Sequence, residues 1–370
     1  MIVSADQLVT PARVLAPGWL RVDGDRIGEV GEGASPGPAV HHAPVLVPGL
    51  VDMHGHGGGG ASHTEGEEPQ SRSAVAAHLA HGTTSQVASL VTDSVPALAA
   101  SVRALRPLVA DGTLAGIHLE GPWLSVDHPG AHDTRHLHAP RPEDVEALLE
   151  AGDGAVRMVT LAPELPGGPD AVRRLVAAGV TVAVGHTDAT YDQTRAALDV
   201  GATVGTHLFN CMRRLHHREP GPIGALLGSD AVVEVIADGI HLHPATVRLA
   251  FAAAPGRVAL VTDSMGAAAA ADGDYQLGAM AVQVRDGVAR LTGTGAIAGS
   301  TLTSLAAVRY AVREAGIGLA DAVAAATSTP AAALGLHDVG VLEPGRRADL
   351  VLLDGDLGLQ RVMRAGRWLG

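Results

Sequence analysis

Eight β-prone runs alternate with helix-length stretches along this 370-residue chain. They are Leu46–His54, Thr84–Val91, Leu114–Glu120, Val156–Leu161, Val180–His186, Thr203–His207, Val232–Asp238 and Arg257–Asp263. Segments such as Pro142–Ala151 and Pro169–Gly179 lie between them, several closed by a glycine of the kind that ends a helix. Alternating strands and helices pair in parallel, and eight repeats imply closure. The predicted fold class is therefore α/β, a (β/α)8 TIM-type barrel. Chemistry in such a barrel sits where the strands end, on the face that carries the βα loops.

The two ends of the chain lie outside that alternation. Met1–Val3, Trp19–Val22 and Arg26–Val30 read as short strands, the last two joined by the turn Asp23-Gly24-Asp25; Ala348–Leu353 and Gln360–Arg364 echo them at the C-terminus. The ends are expected to pair into a small β-sandwich domain, discontinuous over residues 1–45 and 338–370, flanking a barrel over 46–337. After the eighth run, a hairpin at Tyr275–Leu291 and helices at Thr301–Ala315 and Leu319–Thr327 are predicted to lead back to it.

Composition narrows the function classes. Hydrophobic residues make up 46% of the chain and aromatics 2%, so the core must be built mostly from alanine, valine and leucine. No run approaches the ~18 consecutive apolar residues of a spanning helix, and Met1–Val14 lacks the basic start and apolar stretch of a signal peptide. With 26 basic against 39 acidic residues the net charge is −13, which removes any electrostatic reason to bind nucleic acid or an anionic membrane. The single cysteine, Cys211, precludes an intrachain disulfide and suits a reducing cytoplasm. The chain contains no lysine. Schiff-base chemistry is thereby excluded, and any side chain bridging two metal ions must be an unmodified carboxylate.

Five of the eight runs end in a metal-capable or proton-transferring group: His54 with His56, Glu120, His186, His207 and Asp263. In a strand, residues i and i+2 share a face, so His54 and His56 can offer two imidazoles to one ion. Neutral imidazoles and ionised carboxylates converging at about 2.0–2.2 Å on a divalent ion leave an open position for water, whose pKa such an ion lowers to roughly 7. A carboxylate beside that water, Asp263, is suited to take its proton and pass it to a leaving group. One histidine pair among 19 histidines is weak evidence, and each of these residues alone has a bland reading as a core side chain bonded to backbone. The recurrence at five strand ends is what points to a metal-dependent hydrolase.

The segments His118–Leu124, Gly185–Thr187, Thr206–Met212, Arg218–Gly221, Asp238–His241 and Thr262–Asp263 occur in this order across nearly the whole chain. They resemble the N-acetylglucosamine-6-phosphate deacetylase family of the amidohydrolase superfamily, with His118–Leu124 and Thr206–Met212 the most specific. The resemblance implies a homodimeric deacetylase acting on a small phosphorylated amino sugar, with one or two divalent ions per subunit, zinc being the expectation. It implies that Glu120, His186 and His207 bind the principal ion, that Asp263 is general base and acid, and that His241 polarises the acetyl carbonyl. It also implies Asn210, the Cys211 backbone and Arg218 at the 6-phosphate, with a phosphate contact supplied across the dimer interface. His132 is implied at a sugar hydroxyl, and the Ala298-Gly299-Ser300-Thr301 turn at the pocket wall.

Some members of the family replace the first-strand histidines and hold one ion; His54 and His56 here leave room for a second, bridged through Glu120. Cys211 stands where alanine is expected, and its bland reading is a buried small hydrophobe. His118 shares a face with Glu120 and reads equally as a partner beneath the site or a core histidine. Gly57–Gly60 lacks the lysine and hydroxyl of a phosphate loop and reads as close-approach backbone at the pocket rim. Two rival readings stand beside this one. Another amidohydrolase, such as a cyclic-amide hydrolase or an N-acyl amino acid deacylase, is opposed by Arg218 and the Asn210 segment. A catalytically inactive scaffold is opposed by the complete ligand set.

Overall fold

In the computed structural model, which describes residues 1–10 and 13–369, eight parallel strands form the central sheet. We number them β1 (Leu50–Asp52), β2 (Thr83–Val91), β3 (Gly116–Glu120), β4 (Val156–Leu161), β5 (Thr181–Val184), β6 (Val204–Gly205), β7 (Val232–Val235) and β8 (Val258–Leu260). Each pairs in parallel with the next. The ring closes just beyond the strand ends, where Gly55 bridges Ser264. There the Asp263 N–H donates to the His54 carbonyl at 2.8 Å and the His56 N–H donates to the Ser264 carbonyl at 2.7 Å. The backbone that finishes the barrel thus also sets His54, His56 and Asp263.

The strands are almost wholly buried, as expected of a parallel sheet covered on both faces. Helices Val95–Ala110, Pro142–Gly152 and Gly168–Ala177 pack on the β2–β5 side, and Pro244–Ala253 and Ser304–Arg313 on the other. With so few aromatics, the cores are valine, leucine and alanine, each fully buried valine or leucine contributing about 1.5–3 kcal/mol. The loop after β5 is pinned by a reciprocal cap on helix Tyr191–Asp199: the Gln193 N–H donates to Thr190 Oγ1 at 3.2 Å and the Thr190 N–H to Gln193 Oε1 at 2.9 Å.

Both chain ends contribute to a second eight-stranded sheet, in which Ile2–Val9 pairs in parallel with His41–Pro48, which in turn pairs antiparallel with Leu350–Leu353. The sheet curls over its own apolar core, which includes Val3, Leu8, Leu20, Ile27, Leu46 and Leu352, and Arg26 at its far edge bridges Arg347. Pro11, Ala12 and Gly370, assigned to this domain from sequence, lie outside the described residues.

Three elements differ from expectation. Leu46–His54 is not one strand. Its first part belongs to the flanking sheet and its second to the barrel, because Pro48 has no N–H to continue a ladder and Gly49 passes so close to β2 that a Cβ would lie 2.2 Å from Thr84 Oγ1. The expected hairpin after β8 is a three-stranded antiparallel sheet, Gly273–Leu277, Met280–Arg285 and Val288–Leu291. The strands carrying His186, His207 and Asp263 stop two or three residues before those side chains. Among the described residues, no helix is long and apolar enough to cross a membrane.

Candidate active site

Where β5, β6 and β8 stop, the chain turns into the left-handed region: φ is 46° at His186, 24° at His207 and 46° at Asp263. Such conformations cost a non-glycine residue on the order of 1–3 kcal/mol and persist where the surroundings hold them, often at functional sites. The turns aim these side chains inward, onto Glu120 at the end of β3. Glu120 Oε1 lies 3.0 Å from His186 Nε2 and 3.1 Å from His207 Nε2. Its other oxygen, Oε2, lies 3.1 Å from His56 Nε2 and 3.4 Å from His54 Nε2. Asp263 Oδ1 approaches the same two rings, at 3.2 Å from His56 Nε2 and 3.5 Å from His54 Nε2. One carboxylate therefore divides two histidine pairs, and a second carboxylate serves one of them.

These spacings suit a divalent cation. Donors about 2.0–2.2 Å from a tetrahedral ion stand about 3.3–3.6 Å apart, close to the separations here. Within each pair the Nε2 atoms face each other, at 3.3 Å for His54 and His56 and 3.1 Å for His186 and His207. Two lone pairs so placed repel unless a cation or protons lie between them. The far ring nitrogens explain how the lone pairs come to face inward. His54 Nδ1 donates to Glu234 Oε2 (2.9 Å), His56 Nδ1 to the Ser89 carbonyl (3.1 Å) and His186 Nδ1 to the His128 carbonyl (2.9 Å). A proton committed to Nδ1 leaves Nε2 free for a metal. His207 Nδ1 is buried without a partner among the described residues.

The electrostatics of the two pairs differ. Burial acts to lower His54, but Glu234, Glu120 and Asp263 overcome it and hold the imidazole well above its ordinary value. His56 is also opposed by burial, yet Asp263 and Glu120 bring it up to about 9. His207 is raised by Glu120 in the same way. His186 goes the other way, down to about 4, because burial and the neighbouring His132 outweigh its bond to Glu120. Burial works against both carboxylates, but the surrounding histidines, His54 first, hold Glu120 and Asp263 well below the usual carboxylate range.

A polar floor lies beneath. The Gly55 N–H donates to Ser89 Oγ at 3.0 Å, so the Ser89 hydroxyl is left to donate to His118 Nδ1 at 2.9 Å. His118 Nε2 then donates to Thr160 Oγ1 at 2.8 Å, itself 2.8 Å from Thr206 Oγ1. His118 is thus a partner beneath the site, bonded on both ring nitrogens.

Above the floor opens a cleft of about 250 Å³. Of the residues expected from sequence, His56, Glu120, His132, His186, His207, Asn210, Cys211, His241, Asp263 and Gly299 line it. His54 sits one layer deeper, wholly buried, and Ala298 is buried behind Gly299. The His132 ring accepts the Thr92 N–H at Nδ1 (3.2 Å), so Nε2 carries its proton and points to Glu120 Oε2 at 3.4 Å, as a donor and not a ligand. His241 Nδ1 donates to Asp238 Oδ2 at 2.7 Å. Burial and two neighbouring carboxylates push the Cys211 thiol up to about 12, leaving it protonated. Gly57–Gly60 is not at this wall; it forms a tight hairpin with Ala61 and Ser62, packed against His78.

Arg218 is not brought to the cleft. It is exposed, its guanidinium beside His217 Nε2 at 2.8 Å, and it borders a separate surface pocket with Thr190, Tyr191 and Arg213. Three partners escaped the sequence reading. Glu234 had a legible signal, a charged residue inside the apolar run Val232–Asp238. The carbonyls of Ser89 and His128 had none.

Comparison with known proteins agrees with this geometry. The sequence profile of the amidohydrolase family matches residues 45–369. An N-acetylglucosamine-6-phosphate deacetylase of Vibrio furnissii is 37% identical over 336 residues, 89% of this chain and 84% of that protein. An N-acetylgalactosamine-6-phosphate deacetylase of Escherichia coli is 38% identical over 88% of each. Among solved structures, an aspartate-to-alanine mutant of the N-acetyl-D-glucosamine-6-phosphate deacetylase of Mycobacterium smegmatis, in complex with N-acetyl-D-glucosamine-6-phosphate, superposes with a TM-score of 0.97. It has 48% identity and covers 100% of this chain and 98% of that one. With the histidine–carboxylate cluster at its strand ends and these relatives along its length, the chain belongs to the amidohydrolase family, in the group of the N-acetylhexosamine-6-phosphate deacetylases.

Proposed function

We propose that this enzyme hydrolyses the N-acetyl group of N-acetylglucosamine-6-phosphate, giving glucosamine-6-phosphate and acetate, with two divalent ions, zinc by preference, held about Glu120. The observation that carries this reading is the division of Glu120: one oxygen serves His186 and His207, the other His54 and His56, and Asp263 faces the second pair. Ions held there would supply Lewis acidity at the acetyl carbonyl and make a neighbouring water easier to deprotonate.

The chain's own groups do the rest. Asp263 accepts a proton from the attacking water and delivers it to the departing sugar nitrogen, so the amide and one water become an amine and acetate. His241, oriented by Asp238 through Nδ1, donates from Nε2 to the acetyl oxygen when it carries its second proton. His132, with its proton on Nε2, serves a sugar hydroxyl. The Ala298–Gly299 turn lies along the pocket, and Asn210 with the Cys211 backbone meets the 6-phosphate. Arg218, exposed and outside its own cleft, completes the phosphate site of a second copy in a homodimer. The single thiol, Cys211, suits the cytoplasm, where we place the protein.

Acetate release from N-acetylglucosamine with and without the 6-phosphate tests the reading. We expect the phosphate to raise kcat/KM at least about 10-fold, the scale of one charge-assisted contact. No acetate from the phosphorylated sugar, or equal rates with and without phosphate, would overturn it. The Escherichia coli relative supports a second substrate, the 4-epimer N-acetylgalactosamine-6-phosphate, and faster turnover of that sugar in the same assay would move the assignment to it.

A further inference from the structure

We propose that Glu234, on β7, is a positioning residue that joins the two halves of the metal centre: it holds His54 with Nε2 turned to the cleft and, through the same oxygen, anchors the backbone that carries His207. The inference rests on the two-ion reading above. Glu234 is fully buried, and its Oε2 lies 2.9 Å from His54 Nδ1 and 3.1 Å from the backbone nitrogen of His207. A carboxylate only accepts. His54 must therefore keep its proton on Nδ1, and Nε2 presents a lone pair toward Glu120 Oε2. A carboxylate behind a ligating histidine also makes the ring a stronger donor to a cation.

On the β6 side, His207 adopts φ 24°, a backbone region that a side-chain-bearing residue keeps only when its neighbours impose it. Glu234 imposes it twice: its carboxylate takes the His207 N–H, and its main-chain carbonyl takes the Leu208 N–H at 2.8 Å. The other polar side chains of the floor, Ser89, His118, Thr160 and Thr206, bond along a separate chain and reach neither the His54 Nδ1 nor the His207 N–H. Glu234 Oε1 is buried with no partner among the described residues. A buried anion left so short of partners draws its compensation through His54, and hence from a cation on the far side of that ring.

The test is Zn²⁺ titration of the full chain after chelator dialysis, wild type beside Glu234→Gln and Glu234→Ala, with thermal melting of the metal-free proteins as the control for folding. Glutamine keeps one acceptor oxygen for both donors but carries no charge. We expect two ions in the wild type. Glu234→Gln should keep the ion of Glu120, His186 and His207 and bind the second about 10–100-fold more weakly, with an unchanged melting point. Glu234→Ala should weaken both, since His207 loses its anchor as well. Two ions bound by Glu234→Gln at wild-type affinity overturn the inference and leave the two-ion reading standing. Equal weakening of both sites in Glu234→Gln, with a lowered melting point, makes Glu234 a support of the fold alone and also overturns it. A single ion in the wild type overturns the two-ion reading, and the inference with it.

Discussion

His207 and Arg218 stand eleven residues apart in one loop and occupy opposite environments. His207 is buried, its ring against Glu120 and His186 and its backbone held by Glu234. Arg218 is exposed, and among the described residues only His217 lies within reach of its NH1. In the cleft, each group is placed by a neighbour that is itself placed: Glu120 faces His56, His56 is turned by Ser89, and Ser89 is tied to His118. The arginine has no such chain behind it. The chemistry of this protein is thus assembled inside one barrel, whereas its proposed hold on phosphate waits for a ligand or a second copy.

That contrast breaks first at Asp263. Asp263→Asn should fold and bind metal as the wild type does, yet lose about 10²–10⁴-fold in kcat, because an amide cannot take the proton from water. Metal analysis alongside steady-state rates checks it, and activity within a few-fold of wild type would remove Asp263 from the mechanism. Next is the histidine pair just beyond β1: His54→Ala/His56→Ala should lose one of two ions by elemental analysis while Glu120, His186 and His207 retain the other. Unchanged stoichiometry sinks the two-ion reading.

Arg218→Ala should cost about 10–100-fold in kcat/KM on the phosphorylated sugar and leave hydrolysis of N-acetylglucosamine nearly unchanged. Equal losses on both would make Arg218 a support of the fold. Its expected action across a dimer has a sharper check: mixing refolded Asp263→Asn and Arg218→Ala chains should restore roughly a quarter of wild-type activity, since half the dimers are mixed and each has one intact site. An inactive mixture would return Arg218 to its own cleft.

The smallest expected effect separates the two histidine pairs by pH. Burial alone would lower His56, but Asp263 and Glu120 bring it up to about 9, so below that pH an incoming ion must displace its proton. His186, at about 4, is already neutral at pH 7. From pH 7 toward 9, Zn²⁺ affinity should therefore rise more steeply at the His54 and His56 pair, where both rings are raised, than at the His186 and His207 pair, where only His207 is. Parallel pH dependence of both ions, measured by competition with a chelator, would contradict this difference.

Much of this was legible in advance. The alternation of apolar runs and helix-length segments carries the barrel, and the side chains at five run ends carry the histidine–carboxylate cluster. His118 was legible as a residue on the Glu120 face, though not that Ser89 and Thr160 would bind both of its nitrogens. Glu234 was legible as a charge in an apolar strand and went unread. The end of β1 at Asp52, with Pro48 assigned to another sheet, depends on Gly49 meeting Thr84, a contact between segments far apart in the chain.

By itself, then, the sequence determined the fold class and the kinds of atom that meet in the site, because periodicity and side-chain chemistry are local properties of the residues. Only the tertiary structure decided which oxygen of Glu120 faces which histidine pair, that the barrel closes at Gly55 and Ser264, and that Arg218 stays outside the cleft it was expected to line. It alone revealed the carbonyls of Ser89 and His128 as the groups that turn the Nε2 atoms of His56 and His186 toward Glu120. Every residue carries a carbonyl, so its use as a partner leaves no mark on the sequence. Its direction is set by how distant strands and loops pack.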